Sequence, residues 1–226
     1  MTDPLCALHG GTRSLILTEF SAAPYTAGFA HFRCSWAYGL RIPRAQEILG
    51  VERTVHTAEH LASAVFYLGV PVAEIPRARL FAPQVKPARP YAVLHPAASA
   101  PEKTWPPGGF LEVARSLRST GLEPVFVGAS GDVLRPFHEF RVLAGAPLSE
   151  IKTLMRNATL FVGNDSGPAH MAAAFFLPLV VIFGASDPLV WAPWKANAQQ
   201  IVAAGPIGSI SPQQVLDSVE RLGVKA

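Results

Sequence analysis

Three short stretches of the chain bring together residue types suited to holding phosphate. HPAASAPEKTWP, residues 95–106, sets Ser99 and Lys103 among small residues directly after an apolar run. FVGASGD, residues 126–132, ends a second apolar run with two glycines, a serine and Asp132. FVGNDSGPAH, residues 161–170, turns from an apolar run into Asn-Asp-Ser-Gly-Pro, with His170 following in what reads as the first turn of a helix. A helix N-terminus presents unpaired N–H groups and a partial positive charge, glycine lets a ligand approach the backbone, and lysine adds a full charge, so such corners bind anions. In the third stretch Ser166 or Gly167 can serve as N-cap, and Pro168 suits the first turn.

At one corner, capping alone would explain Asp165 and Ser166. Three polar corners in one chain instead suggest a shared cleft, in which the cation and helix N-termini take a diphosphate and a carboxylate takes sugar hydroxyls. None matches GxGxxG or GxxxxGK[ST], so neither a dinucleotide nor a P-loop site is indicated. Ser166 and His170 stand at i and i+4, which raises a hydrolase triad with Asp165. No GxSxG turn is present, and an aspartate adjacent to the serine is badly placed to orient the histidine.

The elements that must position these corners alternate from Tyr91 onward: YAVLHP, a helix-like FLEVARSLRSTG, EPVFVG, SEIKTLMRNA, TLFVG, AHMAAAFF, LPLVVIFG and SPQQVLDSVERLG. Continuous apolar strands such as LVVIF imply burial on both faces, which helices on both sides of a parallel sheet provide. This half reads as a doubly wound α/β domain. Residues 1–80 are less regular, with a turn at His9-Gly10-Gly11, a short helix at Ser14–Phe20, aromatics from Tyr25 to Tyr38, and a helix over Thr57–Leu68. The five prolines of residues 69–90 suggest a connector, with the boundary near Lys86, giving domains 1–85 and 86–226.

Composition narrows the class. Half of the 226 residues are hydrophobic, enough for a sizeable core, and the formal charge is only +3, with no run of like charges that would suit nucleic acid. The two cysteines, Cys6 and Cys34, lack CxxC spacing, so no structural metal or disulfide framework is expected, and a reducing cytoplasm fits. The longest apolar run, Met171–Ala185, is interrupted by Pro178 and too short to span a bilayer, so the reading is a soluble chain.

The three corners, followed by VVIFGASDP, resemble in order and spacing the C-terminal half of glycosyltransferase family 9, the ADP-heptose:lipopolysaccharide heptosyltransferases. LHGGTRS, AGF, YGLRIP and HTAEHLASAVFYLGVP are similar to the later part of that family's first domain. The resemblance implies the GT-B architecture, two Rossmann-like domains, here a complete C-terminal one and a partial N-terminal one. It implies inverting heptose transfer from an ADP-sugar to a lipopolysaccharide core acceptor, with neither metal nor cofactor, in the cytoplasm or at the inner face of the inner membrane, where peripheral association is compatible.

Residue by residue, the resemblance assigns Ser99 and Lys103 to the diphosphate, with Lys103 offsetting charge on the leaving ADP. Asp132 stands where the family has a glutamate for the ribose. Asp165, Ser166, Gly167 and His170 would hold the diphosphate and donor sugar, and the segment Ala146–Leu148, including Ala146 and Leu148, would lie against adenine. Ala97 replaces the glycine of the family's HPG. Arg13 and Arg41 are candidates for an anionic acceptor, with solvated surface arginine as the alternative. The family's opening strand and the aspartate that acts as general base have no counterpart, so the chain reads as N-terminally truncated. Asp3 and His9 lie nearest the missing edge. Truncation leaves two further expectations: an ADP-sugar-binding remnant in place of an enzyme, and self-association or a partner N-terminal fragment.

Overall fold

The computed structural model describes residues 5–224, and its contacts divide the chain into two compact units, Met1–Pro76 and Arg77–Ala226. Asp3 lies outside the described residues.

In the first unit the order is β1 (Leu5–Ala7), α1 (Thr12–Phe20), β2 (Thr26–Phe29), β3 (Leu40–Ile42), α2 (Ala45–Leu49) and α3 (Thr57–Tyr67). The strands form a parallel sheet in the order β1-β2-β3. Both helices expected from the sequence are present, α1 two residues longer at its start. The aromatic stretch between them contains β2 and a 3₁₀ turn at Ser35–Ala37. Phe29, Ile42 and Ala64 form the small core, while Leu17 and Phe20 of α1 stand 70% and 85% exposed. The α3 N-terminus is closed reciprocally: Ala58 N–H donates to His56 Nδ1 at 3.0 Å, and His56 N–H donates to Glu59 at 3.1 Å.

His60 stacks on buried Phe29 with ring centroids 4.0 Å apart, and His31 meets His60 edge-on at 5.4 Å. Burial lowers both imidazole pKa values below the ordinary 6.5, and Arg44 acts in the same direction on His31, as His31 does on His60. The native state therefore binds fewer protons than the unfolded chain. Their contribution to stability is complete above the unfolded value and is lost as pH falls through and below it. Melting of the chain followed from about pH 7.5 to about pH 5.5 should show falling stability, and His60→Phe should flatten that dependence. An unchanged slope in the variant would remove the histidine pair as its source.

The second unit begins with residues read from their prolines as connector, and these pack upon it. Arg77 donates twice to Ala173 O at 2.8 and 3.1 Å, Leu80 N–H donates to Ala174 O at 3.1 Å, and Val85 N–H donates to Asn157 at 2.7 Å. There follow β4 (Tyr91–His95), α4 (Pro107–Ser119), β5 (Glu123–Gly128), β6 (Arg141–Ala144), α5 (Leu148–Asn157), β7 (Leu160–Asn164), α6 (Gly167–Ala174), β8 (Leu179–Phe183), α7 (Pro188–Trp191), β9 (Ala198–Val202) and α8 (Pro212–Arg221). The six strands are all parallel in the order β6-β5-β4-β7-β8-β9.

Helices α4 and α8 cover one face through Phe110, Leu117 and Val215; α5 and α6 cover the other through Met155, Ala172 and Ala173. Every residue of β7 and β8 is buried, which is why these strands read as unbroken apolar runs. The alternation thus gives the doubly wound sheet it suggests. The edge strands β6 and β9 are short and half exposed and lack that apolar signature. Between β5 and β6 the chain uses a 3₁₀ turn at Arg135–Phe137 in place of a helix, with Phe137 stacked on Phe126 at 4.1 Å. Among the described residues no helix is long and apolar enough to cross a membrane.

Candidate active site

The strand order reverses between β4 and β7, which lie side by side with His95 opposite Gly163. Beyond the carboxyl ends of such a pair the connections run to opposite sides and leave a crevice, the place where open α/β sheets bind ligands. The three corners of the sequence sit there. A cavity of about 270 Å³ is lined by Ser99 and His95 from the end of β4, Asp132 from the loop after β5, and Asp165, Ser166 and Gly167 at the start of α6.

Lys103 follows in a 3₁₀ turn at Pro101–Lys103, and its Nζ lies 3.5 Å from Asp165 Oδ2. The carboxylate is the more buried partner, with side-chain exposure of 9% against 30% for the lysine. Removing a carboxylate this far from water is costly unless a cation accompanies it, so the pair holds the ammonium at the helix N-terminus with room on its open side.

Ser166 occupies the N-cap position of α6, yet neither it nor Asp165 caps the helix with its side chain. Ser166 Oγ donates to Asn164 O at 3.1 Å and lies 3.3 Å from His95 Nδ1. Pro168 carries no N–H and Ala169 N–H donates to Ser166 O at 3.1 Å, so what the start of α6 offers a ligand is chiefly the Gly167 N–H and the helix dipole. Burial lowers the His95 pKa, and nearby Asp132 opposes the shift in part. His95 is therefore neutral at physiological pH. Because Asp165 faces Lys103 and the serine hydroxyl is engaged by Asn164 and His95, the hydrolase reading gains no support.

Asp132 turns one oxygen back to accept from Ala129 N–H at 2.7 Å, which fixes the β5 loop. His170 is exposed on the first turn of α6. Ala146 and Leu148 do not line this cavity; they follow β6, where Gly145 N–H donates to Gly128 O at 2.8 Å and holds their loop beside the β5 loop. Arg13 of α1 and Arg41 of β3 are exposed residues of the first unit. His9 is also exposed, and its Nδ1 accepts from Gly11 N–H at 3.1 Å, the bond of a turn residue.

Two residues of this corner escape a reading by composition. His95 looks like the last residue of a strand and Asn164 like the first polar residue after one, yet both side chains are buried and hydrogen bonded within the site. A larger, apolar-walled groove of about 560 Å³ lies at the opposite end of the strands, where Tyr91, Glu123 and Arg141 begin β4, β5 and β6. It contains none of the residues singled out from the sequence.

The fold is that of GT-B glycosyltransferases. A family 9 glycosyltransferase from Veillonella parvula superimposes with a TM-score of 0.80 at 20% identity, over 98% of this chain and 74% of that one. The Escherichia coli heptosyltransferase WaaC, solved with ADP, superimposes with a TM-score of 0.76 at 18% identity, over 98% and 73%. The sequence model of glycosyltransferase family 9 (heptosyltransferase) matches residues 3–215, and the chain belongs to this family. Lipopolysaccharide heptosyltransferase 3 of Escherichia coli is 36% identical over 124 residues, 50% of this chain, and the match spans only 36% of that relative's length.

Proposed function

We propose that the chain carries the donor site of an inverting glycosyltransferase that moves a heptose from ADP-heptose to a lipopolysaccharide core acceptor. The observation that carries this reading is the Lys103–Asp165 pair at the uncapped N-terminus of α6, beside a polar cavity at the sheet's crossing point. Family membership and the binding of ADP by WaaC support the choice of ligand.

In this reading Lys103, Ser99 and the Gly167 N–H at the start of α6 hold the diphosphate, Asp132 offers its other oxygen to the ribose, and the loop of Ala146 and Leu148 lies against adenine. His170, with Gly167 giving backbone access, faces the donor sugar. The acceptor oxygen attacks the anomeric carbon from the side away from ADP, its proton passes to a base, and the electron pair of the breaking C–O bond goes to the phosphate. Charge grows on that phosphate as the bond breaks, so a fixed cation and helix N-terminus stabilise the transition state more than the ground state. The cation invoked is Lys103 in place of a metal.

The first unit, ending at Pro76, would form the acceptor side, with Arg13 and Arg41 meeting an anionic core sugar. A lipid-borne acceptor would bring the reaction to the inner face of the inner membrane. The test is to incubate the chain with ADP-heptose and a deacylated core acceptor, with and without EDTA. ADP release and a product of inverted anomeric configuration, unaffected by EDTA, are expected. ADP-heptose binding without any transfer would make the chain a binding module, and an EDTA-sensitive rate would remove the metal-free step.

A further inference from the structure

We infer that Asn164 is a positioning residue: its buried side-chain amide ties the loop bearing Lys103 to the loop bearing Asp165 and so sets where the ammonium stands. The inference rests on the donor-site reading above and adds a role for a residue that touches no ligand.

Asn164 ends β7 with 0% exposure. Its Oδ1 accepts from Trp105 N–H at 3.1 Å, and its Nδ2 donates to Pro96 O at 2.8 Å. One amide thus grips both ends of the loop that leaves β4, the segment containing Ser99 and Lys103. A main-chain neighbour of Asn164 is Asp165, the carboxylate that faces Lys103, so clamp and counter-ion share one rigid strand end.

The same loop is fixed from two other sides. Trp105, 1% exposed, donates its indole N–H to Ile210 O at 2.9 Å and packs edge-on against Phe110. On the β8 side, Glu102 O lies so close to Gly184 that a Cβ at that position would collide with it. Lys103 therefore lies in a loop packed against Gly184 at Glu102 and anchored at Trp105, two residues beyond the lysine, while its own side chain stays partly open. Asparagine is the fitting residue type, since the site demands one acceptor and one donor with no charge. Aspartate would lose the bond to Pro96 O and bring a second buried carboxylate beside Asp165. Alanine would leave Trp105 N–H and Pro96 O without partners in a buried place.

If the clamp acts through Lys103, its loss must resemble the loss of Lys103 itself. The test compares ADP and AMP binding by calorimetry in wild type, Lys103→Ala, Asn164→Ala and the double variant. ADP carries the second phosphate that Lys103 is placed to meet, and AMP does not. Asn164→Ala should weaken ADP by ~10-fold, the order expected when a hydrogen bond to a charged group is lost, and AMP far less. In the double variant the two losses should not add, because residues acting on one contact are coupled. Gly184→Ala, which pushes Glu102 from the other side, should reproduce the selective loss and serves if Asn164→Ala does not fold.

Equal weakening of ADP and AMP, or additive losses in the double variant, would show that Asn164 only stabilises the fold and would overturn the inference. Failure of wild type to bind ADP would instead overturn the donor-site reading.

Discussion

Lys103→Ala is expected to slow heptose transfer by ~100-fold or more, the usual loss when one preorganised group that meets developing charge is removed. The effect should fall mainly on kcat, because the charge met by the ammonium is larger in the transition state than in bound ADP-heptose. Lys103→Arg should recover part of the rate, since it restores the charge with a different donor geometry. The Asp165 carboxylate loses its cation in the alanine variant, so Asp165→Asn tested in the same background should cost little more. The measurement is steady-state ADP release at saturating acceptor, with circular dichroism to show an unchanged fold. A folded Lys103→Ala protein that transfers heptose at the wild-type rate would remove the lysine from the mechanism.

Trp105→Ala should produce the largest loss of stability of any single change in the loop. The side chain is buried among residues of the α4 and α8 face, its N–H is satisfied by Ile210 O, and its ring fills the space above Gly109. Truncating a buried tryptophan removes its transfer free energy and leaves a cavity, together about 3–5 kcal/mol, a large share of the stability of a domain of this size. The Ile210 carbonyl would be left unpaired as well. Urea unfolding followed by circular dichroism should show the midpoint of the second unit falling sharply with little change in slope. A loss of less than about 1 kcal/mol would mean that the ring is not the anchor its burial implies.

How far the sequence alone reaches differs between the parts of the chain. The central strands β4, β5, β7 and β8 are legible because burial on both faces makes their interiors apolar, and the polar residues at and beyond their ends then stand out as corners. That contrast is enough to group Ser99, Asp132, Asp165 and Ser166, which do line one cavity. The edge strands β6 and β9 are not legible. Their exposed faces carry Arg141, Gln199 and Gln200, and RVLA or AQQIV has no pattern that separates a short edge strand from a loop.

The 69–90 segment shows another limit. Prolines mark it as irregular, and irregular is not the same as unattached: Arg77 and Val85 are bonded to the C-terminal ends of α6 and α5. Asn164 shows the last limit. Its type permits a cap, a turn or a solvent contact, and only the fold reveals that Pro96 O and Trp105 N–H, 68 and 59 residues away in sequence, converge on one amide.

If ADP occupies the carboxyl ends of β4, β5 and β7, backbone amide chemical shifts of the whole chain during an ADP titration will locate it. Saturable shifts are expected at residues 97–103, 129–132 and 165–170, with the Gly167 amide at the start of α6 among the largest because it faces the diphosphate. Shifts that cluster instead around Tyr91, Glu123 and Arg141, in the larger groove at the opposite end of the strands, would contradict that placement, as would the absence of any saturable change at millimolar ADP.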